Sequence, residues 1–257
     1  MKFYTFGNIN SPSILLLPGT CCHWKLNFGE VIGLLEQNFH VICASYDGFD
    51  ETEDSLFSDM LTQTRKIEAY IQQHYNAHIC AAYGCSLGGS FVGLLVQRRN
   101  IHIDHAILGS SDLDQDPPWK AKLKCKIAIA LLHKIVSTGE YPWPLQGLIE
   151  KKRTPYRDRF MAMFGIGQGG LPFMKKKSIY NQFYSDLVTP LNDQISVPGT
   201  TVHCFYAAKM GEQYLERYRK HFKDPVIHHF DMEHEELLVL HPQQWAQEVN
   251  QIIKGEE

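Results

Sequence analysis

The chain has 257 residues, 44% of them hydrophobic and 21% charged, with a formal net charge of −3. This is ordinary globular composition, and a chain of this length can bury a sizeable core without staples. The charge balance gives no overall signature for nucleic acid, no apolar run approaches a membrane span, and Met1-Lys2-Phe3-Tyr4-Thr5 lacks a signal peptide's apolar stretch. A cytoplasmic protein is therefore expected, with no nucleic-acid partner and no stable membrane insertion. The seven cysteines are odd in number and contain no C-x-x-C pair. Free thiols are expected, with Cys43, Cys80 and Cys204 packed as small hydrophobes inside apolar runs.

Strand and helix signals alternate along the first half. Ile14-Leu15-Leu16-Leu17 is a short apolar run stopped by Pro18-Gly19, and Phe39 to Ala44 is a second, stopped at Tyr46-Asp47-Gly48. Met60, Thr64, Ile67 and Ile71 recur at helical spacing. His78 to Tyr83 predicts a third strand, Gly88 to Arg98 a helix, and His105 to Gly109 a fourth strand. Near-continuous apolar strands separated by helices indicate a parallel sheet covered on both faces.

The pattern breaks between Asp114 and Asn181, where helical stretches are interrupted by Tyr141-Pro142-Trp143-Pro144 and by Gly165-Ile166-Gly167-Gln168-Gly169-Gly170. It then resumes with a strand over Thr200 to Ala207 and a helix marked by Leu215, Tyr218 and Phe222. A strand over Pro225 to Phe230 and a helix marked by Trp245, Val249, Ile252 and Ile253 complete it. Charge is divided along the same lines. Trp119 to Lys177 holds 13 Lys/Arg against 3 Asp/Glu, leaving 12 against 25 in the rest.

One motif carries chemistry. Gly84-Cys85-Ser86-Leu87-Gly88 fits G-x-S-x-G between a predicted strand and a predicted helix. A nucleophile on such a turn has a strained backbone, and small neighbours two residues away relieve the crowding. Ser86 is the candidate nucleophile. The N-terminus of the following helix faces it, so the Leu87 N–H is a candidate oxyanion donor. Cys85 points away from Ser86 at such a turn and is not expected to act as nucleophile.

With strand, turn and helix in this order, the sequence resembles the α/β-hydrolase family over nearly its whole length. The resemblance implies an α/β fold with a mostly parallel, doubly wound sheet. A core domain would span residues 1–113 and 182–257, with a helical cap at residues 114–181. It makes Leu16-Leu17-Pro18-Gly19-Thr20 the oxyanion loop, with Pro18 in place of the usual His and Thr20 supplying the second N–H. Trp24 fits a tryptophan that follows this loop in the family.

His234 holds the family's general-base position, just after the last strand. The acid departs from the pattern, because Met210 stands where the usual Asp would be. Two carboxylates stay open: Glu212, two residues later, and Asp112, after the preceding strand. Glu212 also reads as a first-turn helix carboxylate and Asp112 as a capping residue.

The implied activity is hydrolysis of an ester or thioester of a small to medium acyl substrate through an acyl-enzyme, without cofactor. The second class of function is a non-catalytic ligand-binding or interaction protein on the same scaffold. No catalytic metal is expected. His234-Glu235-Glu236-Leu237-Leu238 lacks the second histidine of H-E-x-x-H, and Ile101-His102-Ile103-Asp104-His105 offers too few ligands for a binuclear site. The acidic turn at Asp47-Gly48 is read as structural. The basic insertion is read as docking on the acidic core, with its Trp, Phe and Met residues as the underside. Lys120 to Val136 also has the composition of a basic amphipathic helix at a membrane surface.

Overall fold

The computed structural model describes residues 1–143, 146–147 and 152–255. Pro144 of the Pro-rich break lies outside them. Seven strands form one sheet: β1 (Lys2–Phe6), β2 (Ser13–Leu17), β3 (His40–Ser45), β4 (His78–Gly84), β5 (His102–Leu108), β6 (Thr201–Ala207) and β7 (Val226–Phe230). Their order across the sheet is β1-β3-β2-β4-β5-β6-β7. Only β1 is antiparallel to its neighbour, pairing Lys2 with Ser45 and Phe6 with Val41.

The described helices are α1 (Trp24–Leu35), α2 (Met60–Tyr75), α3 (Leu87–Arg98), α4 (Pro118–Thr138), α5 (Pro155–Ala162), α6 (Lys176–Val188), α7 (Glu212–His221), α8 (Glu236–Leu240) and α9 (Pro242–Lys254). Among the described residues, no helix is long and apolar enough to cross a membrane.

The apolar runs are continuous because each strand feeds two cores. In β2, Leu15 and Leu17 pack on the side of α2 and α3, while Ile14 and Leu16 pack on the side of α1 and α9. In β3, Ile42 and Ala44 join the first core, and Val41 and Cys43 the second. Capping follows the sequence. Asp59 accepts from the Thr62 N–H at 2.8 Å to start α2, and left-handed Asn76 ends it.

β2 lies between β3 and β4, so the chain leaves the centre of the sheet in opposite directions from this point. A parallel sheet opens a crevice where its connections diverge, at the carboxyl ends of the strands. The loop after β2 and the turn after β4 both end there.

Three structural features extend or adjust the sequence reading. The β1 edge strand and α1 were not predicted. Trp24 begins α1, is buried, and stacks on Tyr4 of β1 with ring centroids 4.4 Å apart. Phe222 caps α7 in an extended conformation and lies outside the helix. Helix α6 runs through residue 181 to Val188, so a boundary at residue 181 would cut it in two. Its side chains also hold the core: Ser178 Oγ accepts from the Phe57 N–H at 3.2 Å, and Ser185 Oγ accepts from the Met60 N–H at 3.2 Å.

Candidate active site

Ser86 joins β4 to α3 with φ +50° and ψ −112°. For a residue with a Cβ this is strained backbone, and it persists only where the surroundings over-determine it. They do so by close packing. A Cβ on Gly84 would lie 2.1 Å from the Gly88 carbonyl carbon and oxygen, and one on Gly88 would lie 2.1 Å from the Leu17 carbonyl oxygen. Ser111 Oγ donates to the Ser86 carbonyl at 2.8 Å and closes the turn from the β5 side.

Glu235 holds the same turn from below. Its side chain is buried, Oε1 accepts from the Ser86 N–H at 2.8 Å, and Oε2 accepts from the Tyr83 hydroxyl at 3.0 Å. The backbone of Glu235 is left-handed, with φ +57°, which turns its side chain inward while its neighbour serves the nucleophile. Glu235 is a structural partner of the site that sequence reasoning missed. It sits among Glu233 and Glu236, and nothing in their order marks the middle carboxyl as the buried one.

His234 lies between β7 and α8, with Nε2 3.1 Å from Ser86 Oγ. Helix α5 crosses above it. The Tyr156 hydroxyl donates to the His234 carbonyl at 2.9 Å, and the Phe160 ring meets the imidazole edge to face at 5.7 Å. Burial lowers the His234 pKa, while the charge of Glu235 and the Ser110 carbonyl oppose that shift.

The other ring nitrogen meets no carboxylate. His234 Nδ1 lies 3.3 Å from Met210 Sδ. This corrects the expectation that Glu212 or Asp112 orients the histidine, since neither is a hydrogen-bond partner of His234. The cause is local. A 3₁₀ turn over Ala208–Met210 delivers Met210 to the ring, and Gly211, at φ +109°, then redirects the chain. Glu212 emerges exposed in the first turn of α7, where the helix dipole favours a carboxylate. Asp112 is half-buried, and its carbonyl accepts from Arg217 Nη1 at 2.7 Å. Burial, and then the nearby charge of Asp114, raise its carboxyl pKa.

The expected oxyanion donors follow the ends of β2 and β4, which pair side by side with Leu17 opposite Gly84. Among the described residues, neither the Leu87 N–H nor the Thr20 N–H has a protein acceptor. The Ser86 N–H is taken by Glu235 and is unavailable for this role. The loop carrying Thr20 is fixed on both sides. Asn27 Oδ1 accepts from the Gly19 N–H at 2.9 Å, and Gln182 Oε1, from α6, accepts from the Cys21 N–H at 2.9 Å. Cys21 itself is left-handed, with φ +57°.

The roof is apolar. Cys22, Met163 and Val239 form a small buried cluster with Tyr156, Phe160 and Phe164 against it. Cys85 and Cys22 are buried thiols whose pKa values burial pushes well up, so neither is poised as a nucleophile. Asp47 is tied to the N-terminal amine, Lys66 and Gln63, which makes its turn a structural one. Among the described residues, the group with metal-ligand geometry is His78, His102 and Asp104. It lies toward the amino ends of β4 and β5, away from Ser86 at the carboxyl end of β4.

Neither a family model nor a curated protein sequence matches the chain. Solved structures do match it in shape. A protein assigned to the α/β-hydrolase family in Desulfitobacterium hafniense is 15% identical, with 98% of this chain and 100% of that one covered at a TM-score of 0.78. A thermophilic esterase from Thermogutta terrifontis is 17% identical over 99% of this chain and 93% of its own, at a TM-score of 0.70. A 1H-3-hydroxy-4-oxoquinoline 2,4-dioxygenase is 18% identical over 98% and 95%, at a TM-score of 0.65. In sheet order, in the turn that carries Ser86 and in these likenesses, the chain has the α/β-hydrolase fold.

Proposed function

We propose that the chain is a serine hydrolase that cleaves a carboxylic ester or thioester through an acyl-enzyme on Ser86. One observation carries the reading: Ser86 Oγ, on a strained turn, lies 3.1 Å from Nε2 of His234. In this arrangement Nδ1 keeps its proton, and Nε2 takes the proton from the Ser86 hydroxyl as Oγ attacks the carbonyl carbon. The oxyanion that forms is held by the N–H groups of Leu87 and Thr20. His234 returns the proton to the leaving group, and water then releases the acyl group by the same steps in reverse.

The triad acid is absent from this scheme. Met210 sulfur accepts weakly from Nδ1–H, so it fixes the ring's orientation while adding little charge stabilisation. The Glu235 carboxylate beneath the turn favours the imidazolium from the other side. The substrate proposed is small to medium, with an apolar acyl part against Phe160, Met163 and Cys22.

Met210 also supports a second reading, a non-catalytic ligand-binding protein on this scaffold, because the fold does not fix the reaction. Intact-mass measurement after exposure to a fluorophosphonate separates the two. Hydrolysis requires one adduct on the wild type and none on Ser86→Ala. An unlabelled wild type beside a labelled control hydrolase removes the enzyme reading. A panel of esters and matched thioesters of increasing chain length then defines the acyl group.

A further inference from the structure

We propose that the outer face of α4 is a docking surface for an anionic lipid bilayer. Helix α4 is 21 residues long, and its inner face, Ala121, Cys125, Ile129 and Val136, is buried against the fold. Its outer face would ordinarily be polar. Instead Trp119, Leu123, Ile127 and Leu131 follow one another at intervals of four and are 70%, 52%, 71% and 44% exposed. Half of the eight exposed large hydrophobic side chains among the described residues lie in this one stripe. Another is Trp143, 84% exposed, just beyond the helix. Single exposed apolar residues are unremarkable, but a contiguous row marks an interaction surface.

Charge identifies the occupant. The helix contains five lysines and no Asp or Glu. At 100° per residue the stripe spans about a third of the helix circumference. Lys122 and Lys126 fall along one margin, Lys120 and Lys124 along the other, and Lys134 closes its C-terminal end. Lys120 and Lys124 are paired with Asp116, whereas Lys122, Lys126 and Lys134 have no acidic partner among the described residues. The stripe is convex, a single row about 18 Å long at 1.5 Å per residue. It has the form of a helix lying in a bilayer interface, with apolar side chains down, lysines reaching the anionic headgroups and tryptophan at the boundary. A protein partner would instead have to offer a groove rimmed with acids.

The position links docking to the site. Helix α4 packs on α6, and α6 holds the oxyanion loop through Gln182. A bilayer beneath α4 would therefore rest on the helix that packs against α6, the helix tied to the oxyanion loop.

Sedimentation with vesicles tests the surface without reference to catalysis. The wild type and Ser86→Ala are expected to bind equally to phosphatidylcholine vesicles containing about a third phosphatidylserine. Both should bind at least about tenfold more weakly to phosphatidylcholine alone. Binding should shift the tryptophan emission to the blue through Trp119 and Trp143, because Trp24 and Trp245 are already buried. Leu123→Glu/Ile127→Glu should abolish binding, and Lys122→Gln/Lys126→Gln should remove the preference for anionic vesicles. All of these side chains face solvent, so thermal melting should be unchanged. The proposal is overturned if the wild type ignores anionic vesicles or if Leu123→Glu/Ile127→Glu binds like the wild type. It is also overturned if light scattering shows a dimer that this double variant dissolves, which would give the stripe to a second copy of the chain.

Discussion

Met210 Sδ lies 3.3 Å from His234 Nδ1, the ring nitrogen that Ser86 does not use. A thioether there can accept a weak hydrogen bond but carries no charge to stabilise an imidazolium. The sulfur of Met and a carboxylate oxygen of Asp are each three bonds from Cα, so Met210→Asp places an oxygen on the same path. We expect this substitution to raise kcat/KM for ester hydrolysis by at least about tenfold, by supplying the charge that a triad acid contributes. Burial lowers the His234 pKa, so activity that needs the neutral ring should persist below the pH at which an ordinary histidine protonates. Met210→Asp should move that acidic limb to higher pH, because a carboxylate favours the charged ring. A pH–rate profile showing no displacement would remove Met210 from the role described.

Glu235 should matter to stability as much as to activity. Its removal in Glu235→Ala leaves the half-buried Ser86 N–H and the buried Tyr83 hydroxyl without their acceptor. Each unsatisfied group costs about 1–3 kcal/mol. Glu235→Gln retains an amide oxygen for Ser86 and should lose less. Urea unfolding is expected to rank wild type above Glu235→Gln above Glu235→Ala, and fluorophosphonate labelling rates should fall in the same order.

Gln182→Ala tests whether α6 positions the oxyanion loop. The Cys21 N–H loses its acceptor, and the adjacent Thr20 N–H loses its fixed direction. Deleting one oxyanion donor outright costs about 10²–10³ in kcat, and displacing one should cost about tenfold or more. Fluorophosphonate labelling of Ser86 should slow in parallel, with the fold retained by circular dichroism. An unchanged rate would mean that the loop holds its shape without α6.

His203 should make the protein acid-sensitive. Burial, then the flanking imidazoles of His228 and His105, hold its pKa at about 3 instead of 6.5. His203 Nδ1 lies 3.1 Å from His228 Nε2, so there is little room for a second charge. The unfolded chain takes up this proton as pH falls below 6.5 and the folded chain does not, so its stabilising contribution is complete above 6.5 and is lost on the way down to about 3. The slope is at most about 1.4 kcal/mol per pH unit. Melting temperatures of wild type and His203→Gln should therefore converge as pH is lowered from 6.5 to about 4.5. Parallel curves would show that the group titrates normally.

The strand cores and the nucleophile turn were readable because each is written in neighbouring residues. Ile14 to Leu17 and His78 to Gly84 are strands in the structure, and Gly84, Ser86 and Gly88 meet within one turn. β1 escaped notice because Lys2–Phe6 carries no continuous apolar run. Its pairing with β3 and the stacking of Tyr4 on Trp24 supply what its sequence lacks. The candidate acids were misplaced for a related reason. A two-residue offset between Met210 and Glu212 looks small in sequence, but Gly211 at φ +109° sends the two side chains in different directions.

Sequence alone determined the alternation of strands and helices and the turn that strains Ser86, because periodicity and tight turns are local properties of the chain, while His234 was marked only by what the family resemblance implies. Tertiary structure alone decided that His234 faces a thioether, that Glu235 is the carboxyl buried beneath the nucleophile, and that α4 turns an apolar row outward. Each depends on which groups, distant along the chain, come within a few ångströms of one another. A helix with two apolar faces cannot reveal in its own sequence which face the core will cover.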